Sequence, residues 1–264
     1  MSAILTCISS ESKYFDGLAT QFLPSLLQTA KFGGVIAIVD YGLTPDQRER
    51  LVNMAPAQVR LFRAVRDLPK VILPVLRLRD FAAVLSHSFA SHERVVMYDG
   101  SDIFFQLPLD ELWRKQGMFA AAESNPNLAD NPTMKRWEVK GPDSVTSKFY
   151  ADYPDAPVVN GGMIGGSAAQ LAAYCQWAFE QCTSGLFAEA GGADQWVLTW
   201  AAIKQIWPID HANNHWWNYC LAGVNAKTDE RGTVCADDGG PVAVVHHNGG
   251  AGSNHKWKGN AVAH

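Results

Sequence analysis

Short apolar runs alternate with helical patterns over the first 125 residues, and this alternation limits the fold more than any other feature. The run at 33–40, GGVIAIVD, is apolar without interruption, which is typical of a strand covered on both faces of a parallel sheet. Further strands are predicted at 3–9, 59–63, 94–99 and 117–123. Helices are predicted at 15–27, 44–54, 79–91 and 109–116. Strands that alternate with helices predict an α/β fold around a mostly parallel sheet.

Acidic residues end three of the predicted strands. Asp40, Asp99 and Glu123 each stand at a point where an apolar run stops. Right-handed crossovers would bring these strand ends to one edge of the sheet. Because ligands of such sheets bind beyond the carboxyl ends of the strands, the sequence predicts a binding site at that edge.

The rest of the chain predicts a long loop followed by further strands and helices. Residues 124–157 have weak periodicity and many prolines, so we expect a loop with room for one helix. After it come a strand, two helices and two short strands, at 158–166, 167–182, 192–205, 206–210 and 241–247. Thr44 and Ser167 are predicted helix N-caps. Since no repeat or linker stands out, we expect residues 1–264 to form a single domain.

Composition narrows the class of protein. The chain has 264 residues and a formal net charge of −4, with scattered basic residues, which argues against a nucleic-acid partner. No apolar run approaches the ~20 residues of a membrane span, and the N-terminus does not resemble a signal peptide. The five cysteines form no C-x-x-C pair, as expected of reduced thiols. We therefore expect a cytoplasmic protein with no transmembrane segment.

Two carboxylates stand three positions apart in the stretch VVMYDGSDIFF, residues 95–105. On a turn of small residues, Asp99 and Asp102 can aim their oxygens into one space, where like charges repel unless a cation or a proton separates them. Hard divalent cations prefer oxygen ligands, and Gly100 and Ser101 leave room for a bulky anion above such a metal. The alternative is an Asx turn in which Asp99 caps the backbone.

A histidine pair ends a predicted strand near the end of the chain. In VVHHNGG, residues 244–250, either His246 or His247 can bring an imidazole to the same site. Imidazole is the commonest nitrogen ligand of transition metals. A surface histidine or a hydrogen-bonded core histidine is the alternative.

Two further motifs suit a sugar ligand. In NGGMIGG, Gly161 and Gly162 permit close backbone approach, and Asn160 offers both a donor and an acceptor; a β-bulge explains the glycines equally well. In GGADQW, Asp194 and Gln195 lie in the first turn of a helix, where capping is the alternative role.

The tail stretch NHKWKG places Lys256 and Lys258 around Trp257. Lysines there can neutralise a diphosphate, whereas a solvated tail is the alternative.

The order of these motifs resembles that of GT-A glycosyltransferases, and most closely that of the glycosyltransferase domain of collagen lysyl hydroxylases. The likeness is carried by the stretches VVMYDGSDIFFQ, FAAAE, VVNGGMIGG, ADQ and VVHHNGG. A looser likeness to glycogenin-type enzymes rests on the Asn-Gly-Gly strand and GGADQ. The resemblance implies a Rossmann-like GT-A sheet with a nucleotide-binding half at 1–125 and a donor-sugar and acceptor half at 126–264.

The resemblance also implies a metal site and a donor site. Asp99, Asp102 and His246 would bind Mn²⁺, or Mg²⁺ in its place, which bridges the diphosphate of a nucleotide sugar. The nucleotide and its sugar would be held by Thr6, Asp40, Tyr41, Asp99, Gly100, Ser101, Asn160, Gly161, Gly162, Gln195, Lys256 and Trp257.

The implied activity is sugar transfer from a nucleotide sugar, with UDP-galactose or UDP-glucose favoured, to a hydroxyl of a glycan, a lipid-linked sugar or a protein. An inverting enzyme needs a carboxylate base, for which Asp194 and Glu123 are the candidates; a retaining enzyme needs none. The lysyl hydroxylase domains work in the secretory pathway, whereas we expect this chain to be cytoplasmic. Collagen is therefore not the expected acceptor. The alternatives are a non-catalytic carbohydrate-binding module and a sugar nucleotidyltransferase.

Overall fold

A computed structural model describes residues 2–123, 127–141, 143–212, 214–221 and 227–247 of the chain. Twelve strands lie in these residues: β1 (Ser2–Ser9), β2 (Val35–Tyr41), β3 (Val59–Arg63), β4 (Arg94–Tyr98), β5 (Ile103–Phe105), β6 (Met118–Ala122), β7 (Val159–Ser167), β8 (Ile209–Asp210), β9 (Tyr219–Cys220), β10 (Lys227–Thr228), β11 (Val234–Cys235) and β12 (Val244–His246). The strands predicted at 3–9, 33–40, 59–63, 94–99, 117–123 and 158–166 are confirmed within three residues at each end.

Seven α-helices lie in the same residues: α1 (Ser12–Gly17), α2 (Pro45–Met54), α3 (Leu73–Ser88), α4 (Pro132–Trp137), α5 (Val145–Asp152), α6 (Ala168–Thr183) and α7 (Ala193–Ile203). Two π-helical turns, Leu18–Phe22 and Ser25–Thr29, extend α1, and 3-10 turns cover Leu112–Arg114, Leu128–Asp130 and His215–Trp217. The predicted N-caps are confirmed, because Thr44 and Ser167 both form capping boxes, with Gln47 and Gln170.

The main sheet has seven strands in the order β3-β2-β1-β4-β7-β6-β8. Only β7 runs antiparallel to its neighbours, so the predicted mostly parallel sheet is confirmed. Because β7 comes from the second half of the chain and lies between β4 and β6, the two predicted halves share this one sheet.

Both faces of the sheet are covered, which explains the uninterrupted apolar runs. All seven residues of β2 are buried. Successive side chains of a strand point to opposite faces, and accordingly Leu5 joins a core cluster with α3, α6 and α7, whereas Ile4 joins a cluster with α1 and the π-helical turns.

Three predicted elements differ from the structure. The helix predicted at 79–91 is α3 and begins six residues earlier, at Leu73. The helix predicted at 109–116 is only a 3-10 turn, because Leu109 and Leu112 fill the core and Gly117, at φ +65°, turns the chain straight into β6. The loop predicted at 124–157 contains two helices rather than one. Asn131 and Ser144 cap these helices with their side chains, and this capping chemistry explains the second helix.

Smaller sheets extend the molecule beside the main one. In the three-stranded sheet β5-β12-β9, β12 pairs antiparallel with β5, and β10 pairs with β11. The carboxyl ends of β2, β4 and β6 lie at one edge of the main sheet, as expected of Asp40, Asp99 and Glu123. In the described part of the chain, no helix combines the length and the apolar character needed to cross a bilayer.

Candidate functional site

Two aspartates and a histidine meet at the carboxyl edge of the main sheet. Asp99 directly follows β4, Asp102 lies on the turn before β5, and His246 is the last residue of β12. The β5–β12 pairing sets His246 opposite Ile103 and so carries the imidazole to that turn. His246 Nε2 lies 3.5 Å from Asp99 Oδ2 and 3.4 Å from Asp102 Oδ2. One potential ligand atom from each of the three residues lies within 4.8 Å of the other two.

Backbone hydrogen bonds hold the turn in place from both sides. The Asp99 amide donates to the Gly162 carbonyl (3.0 Å), and the His247 amide donates to the Asp102 carbonyl (2.8 Å). The Asp99 side chain accepts from Arg77 and faces His246, which differs from the Asx-turn alternative. The turn therefore presents both carboxylates toward the imidazole.

Charge pairing governs the protonation of His246, which is only 3% exposed. Burial alone would lower the pKa of His246, but the Asp102 carboxylate raises that pKa well above its usual value. Burial acts to raise the pKa of Asp102, yet His246 holds it below its usual value. The two carboxylates thus favour positive charge at this place, and a bound cation would supply the same charge.

Gly162 makes room for the imidazole. A Cβ at this position would lie 2.6 Å from His246 Nδ1 and 2.8 Å from Asn160 Oδ1. The glycine run also carries a bulge, since β6 pairs Ala120 with Ile164 but Ala121 with Asn160, which leaves 161–163 in the gap. The bulge alternative for these glycines is therefore confirmed, and it delivers Asn160 and Gly162 to the site.

Arg77, on α3, is a site residue that the sequence analysis missed. Its guanidinium pairs with Asp99, and Nη2 donates to the Gly161 carbonyl (3.3 Å) and to Asp194 Oδ2 (3.4 Å). The side chain is largely buried. No motif marks Arg77, because it lies before the helix predicted at 79–91 and its partners come from three distant segments.

Asp194 lies in the first turn of α7, beside this arginine. Burial raises the pKa of Asp194 above its usual value, Arg77 opposes the rise, and Asp99 adds to it. The preceding Gly192 adopts φ +58°, and a Cβ there would lie 2.5 Å from Trp137 Cζ3. The glycine pair before Asp194 thus lets the start of α7 pack against Trp137.

Glu123 is the centre of a hydrogen-bond network of side-chain amides. Its Oε1 accepts from Asn160 Nδ2 (2.9 Å) and Gln195 Nε2 (3.1 Å), and its Oε2 accepts from Asn131 Nδ2 (2.9 Å). Asn160 Oδ1 in turn accepts from Asn218 Nδ2 (2.9 Å). Both oxygens of Glu123 are therefore engaged with neighbouring amides, and its predicted role as a base stays a prediction. Asn131 and Asn218 were not foreseen.

Asp40 and Tyr41 have partners within the protein. The Asp40 carboxylate is fully buried, accepts from the Gly42 and Leu43 amides and pairs with Arg48 Nε at 2.5 Å. The Tyr41 hydroxyl donates to Asp80 Oδ2. These bonds hold the loop after β2, and the expected contacts of the two residues with the nucleobase and ribose stay predictions.

Thr6, Gly100 and Ser101 lie where β1 passes the aspartate turn. A Cβ on Gly100 would lie 2.8 Å from Thr6 Oγ1 and 2.8 Å from the Cys7 carbonyl, and the Ser101 backbone packs against Gly17. Gly100 therefore makes room for β1, and the predicted clearance for a ligand stays a prediction. The Thr6 hydroxyl is buried, and no described residue hydrogen-bonds to it.

The predicted diphosphate contacts Lys256 and Trp257 lie outside the described residues. Behind the cluster, a small cavity is lined by Arg77, Tyr98, Gly161, Asp194 and Leu198.

Comparison with solved structures establishes the fold. No protein-family model and no curated protein matches the chain. Among solved structures, the galactosyltransferase LgtC, in complex with donor and acceptor sugar analogs, matches with a TM-score of 0.60 and 14% identity over 94% of this chain and 87% of that one. Mouse xyloside xylosyltransferase 1 matches with a TM-score of 0.59 and 12% identity over 94% and 98% of the two chains. The chain has a GT-A fold.

A third solved structure is similar to this chain. The bifunctional glycosyltransferase WbbM matches 93% of this chain and 45% of its own, with a TM-score of 0.58 and 14% identity. At such identities the likeness establishes the fold alone. The finer resemblance to lysyl hydroxylase and glycogenin-type domains is not among these findings and stays a prediction.

Proposed function

We propose that this chain is a metal-dependent glycosyltransferase that moves a sugar from a nucleotide sugar to a hydroxyl acceptor. The observation that carries the proposal is the cluster of Asp99, Asp102 and His246 at the carboxyl edge of a GT-A sheet. In α/β sheets of this kind, the crevice beyond the strand ends is where ligands bind.

The donor set of the cluster fits a divalent cation. Two carboxylate oxygens and one imidazole nitrogen suit Mn²⁺, and Mg²⁺ is the alternative for the oxygen ligands. The ligand atoms lie on three segments fixed by β-sheet pairing and backbone hydrogen bonds, and Gly162 leaves His246 the space it occupies. Asp99, Asp102 and His246 are therefore the residues that would hold the ion.

The chemistry that a bound ion supplies is charge stabilisation on the departing nucleoside diphosphate. The protein's own residues keep the site in order. Arg77 binds one Asp99 oxygen and so leaves Oδ2 directed at His246. We propose that Lys256 adds positive charge at the diphosphate and that Trp257 lies beside it.

The donor sugar would lie near β7 and α7. Asn160 and Gln195 share the Glu123 carboxylate, which fixes the direction of both amides before any sugar arrives. Asp194 and Glu123 are the proposed candidates for a base if transfer inverts configuration, and both carboxylates already have partners within the protein. If transfer retains configuration, Asp194 instead contacts the donor sugar.

The donor and acceptor belong to this proposal as well. We propose a UDP-hexose as donor, with galactose or glucose favoured, and a glycan, lipid-linked sugar or protein as acceptor. LgtC is by its name a galactosyltransferase, which supports a hexose. Thr6, with its unpartnered buried hydroxyl beside the turn, is the proposed contact of β1 with the nucleotide.

A nucleotide-sugar panel tests the proposal. Purified protein is assayed with Mn²⁺ for released nucleoside diphosphate, and Trp fluorescence follows titration with UDP in the presence and absence of Mn²⁺. We expect turnover of at least one UDP-sugar and UDP binding that requires the metal. The variant Asp102→Asn should lose both by about 100-fold or more.

The matched control is Asp110→Asn, which alters an exposed acid eight positions along the chain. It should behave as the unaltered protein does. Absence of turnover with every nucleotide sugar, or undiminished UDP binding in Asp102→Asn, would contradict the proposal. Glycan binding that needs neither nucleotide nor metal would favour a carbohydrate-binding module.

A further inference from the structure

The segment 64–72, between β3 and α3, exposes an unusual group of apolar side chains. Val65 is 70% exposed, Ile72 53% and Leu68 37%. Among the described residues, only two other large apolar side chains, Leu186 and Ile206, are as exposed, and they lie in different loops. Single exposed apolar residues are ordinary, whereas a group of three on one short segment indicates a binding surface.

Polar contacts hold this segment in its exposed position. Arg79, on α3, donates to Asp67 Oδ1 (2.7 Å) and to the Val65 carbonyl (3.4 Å). The Val71 amide donates to the Leu68 carbonyl (3.0 Å), which closes a turn at the tip. The apolar side chains therefore point outward on a segment that is already structured.

The net charge of segment 64–72 is positive, whereas that of the whole chain is negative. Arg66 and Lys70 in the segment, and Arg63 just before it at the end of β3, are exposed, and none of them forms an ion pair with a described residue. Asp67 is the only acid between positions 60 and 72, and Arg79 neutralises it. The chain as a whole has 26 acidic and 22 basic residues, so this positive surface is local.

The segment begins at the edge of the sheet that carries the metal-ligand cluster. It continues from the carboxyl end of β3, and the Ala64 amide donates to the Asp40 carbonyl (3.0 Å) at the end of β2. Strands β1, β2, β3 and β4 are parallel, so the segment and Asp99 follow strand ends on the same side of the molecule.

We propose that segment 64–72 docks the protein on an anionic lipid bilayer. Apolar side chains flanked by unpaired basic residues are the chemistry that enters the headgroup region and attracts anionic lipids. Docking through this segment turns the carboxyl edge of the sheet toward the bilayer. It follows that the acceptor is carried at the membrane surface, and this second statement rests on the proposed function.

Vesicle co-sedimentation of the whole chain tests the docking. The vesicles contain either phosphatidylcholine alone or phosphatidylcholine mixed with phosphatidylglycerol, and no nucleotide is added. We expect binding to the anionic vesicles that falls with added salt. Replacing Arg66 and Lys70 together by Glu should weaken it by about 25-fold or more, since each basic residue contributes about five-fold.

A triple variant tests the apolar part. Val65→Ser, Leu68→Ser and Ile72→Ser together should weaken vesicle binding by about ten-fold or more. The matched control, Leu186→Ser with Ile206→Ser, removes exposed apolar side chains elsewhere and should bind as before. Circular dichroism and thermal melting establish that each variant is folded.

The outcomes separate docking from catalysis. Equal binding to neutral and anionic vesicles, no vesicle binding, or equal losses in the triple variant and its control overturns the docking. If the triple variant keeps vesicle binding but loses self-association, the docking is overturned too, and the segment binds a protein partner instead. Asp102→Asn should keep full vesicle binding. The vesicle assay therefore tests the docking even if the proposed function fails.

Discussion

Single residues in this site act by the space they leave as much as by the groups they carry. Gly162 is the clearest case, because its missing side chain is the volume that the His246 ring occupies. Gly161, one position earlier, is different. A Cβ there would find its nearest neighbour, Asp194 Oδ2, at 3.7 Å, which is an ordinary contact.

The variant Gly162→Ala should therefore lose metal binding. A methyl group 2.6 Å from His246 Nδ1 forces the ring away from Asp99 and Asp102. We expect Mn²⁺ affinity, measured by calorimetry, to fall by about ten-fold or more. Gly161→Ala is the matched control and should keep the Mn²⁺ affinity. Equal affinities in the two variants would show that His246 is not a ligand.

A second prediction at the residue scale concerns Asp194. Its pKa is raised above the usual value, chiefly by burial, so the carboxyl gains a proton at a higher pH than an exposed aspartate does. If the ionised form acts in transfer, kcat/KM falls as the pH drops through this raised pKa, and the acid limb lies at a higher pH than an exposed aspartate would give.

The pH profile of the Asp194→Asn variant should show lower rates at neutral pH and no acid limb. Asp143→Asn, which alters a fully exposed carboxyl, should keep the limb of the unaltered protein. Nucleoside diphosphate release measured across the pH range gives both profiles. An unchanged acid limb in Asp194→Asn would assign it to another group.

At the scale of elements, Glu123 joins four segments of the chain. It follows β6 and accepts hydrogen bonds from Asn160 on β7, Gln195 on α7 and Asn131 at the cap of α4. Since each bond crosses between elements, the network sets the position of α7 relative to β7. We propose that Glu123 acts as a positioning residue through this network, with the role of base as the alternative.

The variant Glu123→Gln separates positioning from base catalysis. One carboxylate oxygen becomes an NH₂ group that faces an amide donor, so we expect the donor KM to rise by about ten-fold. The kcat value should change little, whereas loss of a base would lower it by about 100-fold or more. Steady-state kinetics decide between them, with the exposed Glu49→Gln as control. A large fall in kcat with an unchanged KM would show that Glu123 acts as the base.

At the scale of the whole molecule, stability and function are carried by different parts. The parallel strands β1, β2 and β4 are buried in the middle of the main sheet, between two core clusters. The site depends on them, but it also uses β12, a three-residue strand of a small separate sheet.

Hydrogen exchange should show this division. The amides of β2 should exchange about 100-fold or more slowly than those of β10 and β11, which pair as two-residue strands with β10 exposed. Mn²⁺ should slow exchange in β12 most, because His246 would bind the ion. Mass spectrometry of peptic peptides gives both comparisons, and uniform protection across these strands would contradict the prediction.

The sequence by itself determined the local part of this fold. Uninterrupted apolar runs predicted the parallel strands, because both faces of such strands are covered, and the residues Thr44 and Ser167 marked helix starts by local capping chemistry. Asp99 and Asp102 were found since they stand three positions apart. The helix predicted at 109–116 was wrong because core packing needed only one turn there.

Only the tertiary structure decided which distant groups meet. Arg77 reaches Asp99 and Asp194, and Glu123 receives three amides, through contacts between segments up to 117 positions apart that leave no spacing in the sequence. It also gave Asp40, Tyr41 and Gly100 partners within the protein that no sequence pattern indicated. The physical reason is that periodicity and capping are set by neighbours along the chain, whereas hydrogen bonds and steric fit in a site are set by neighbours in space.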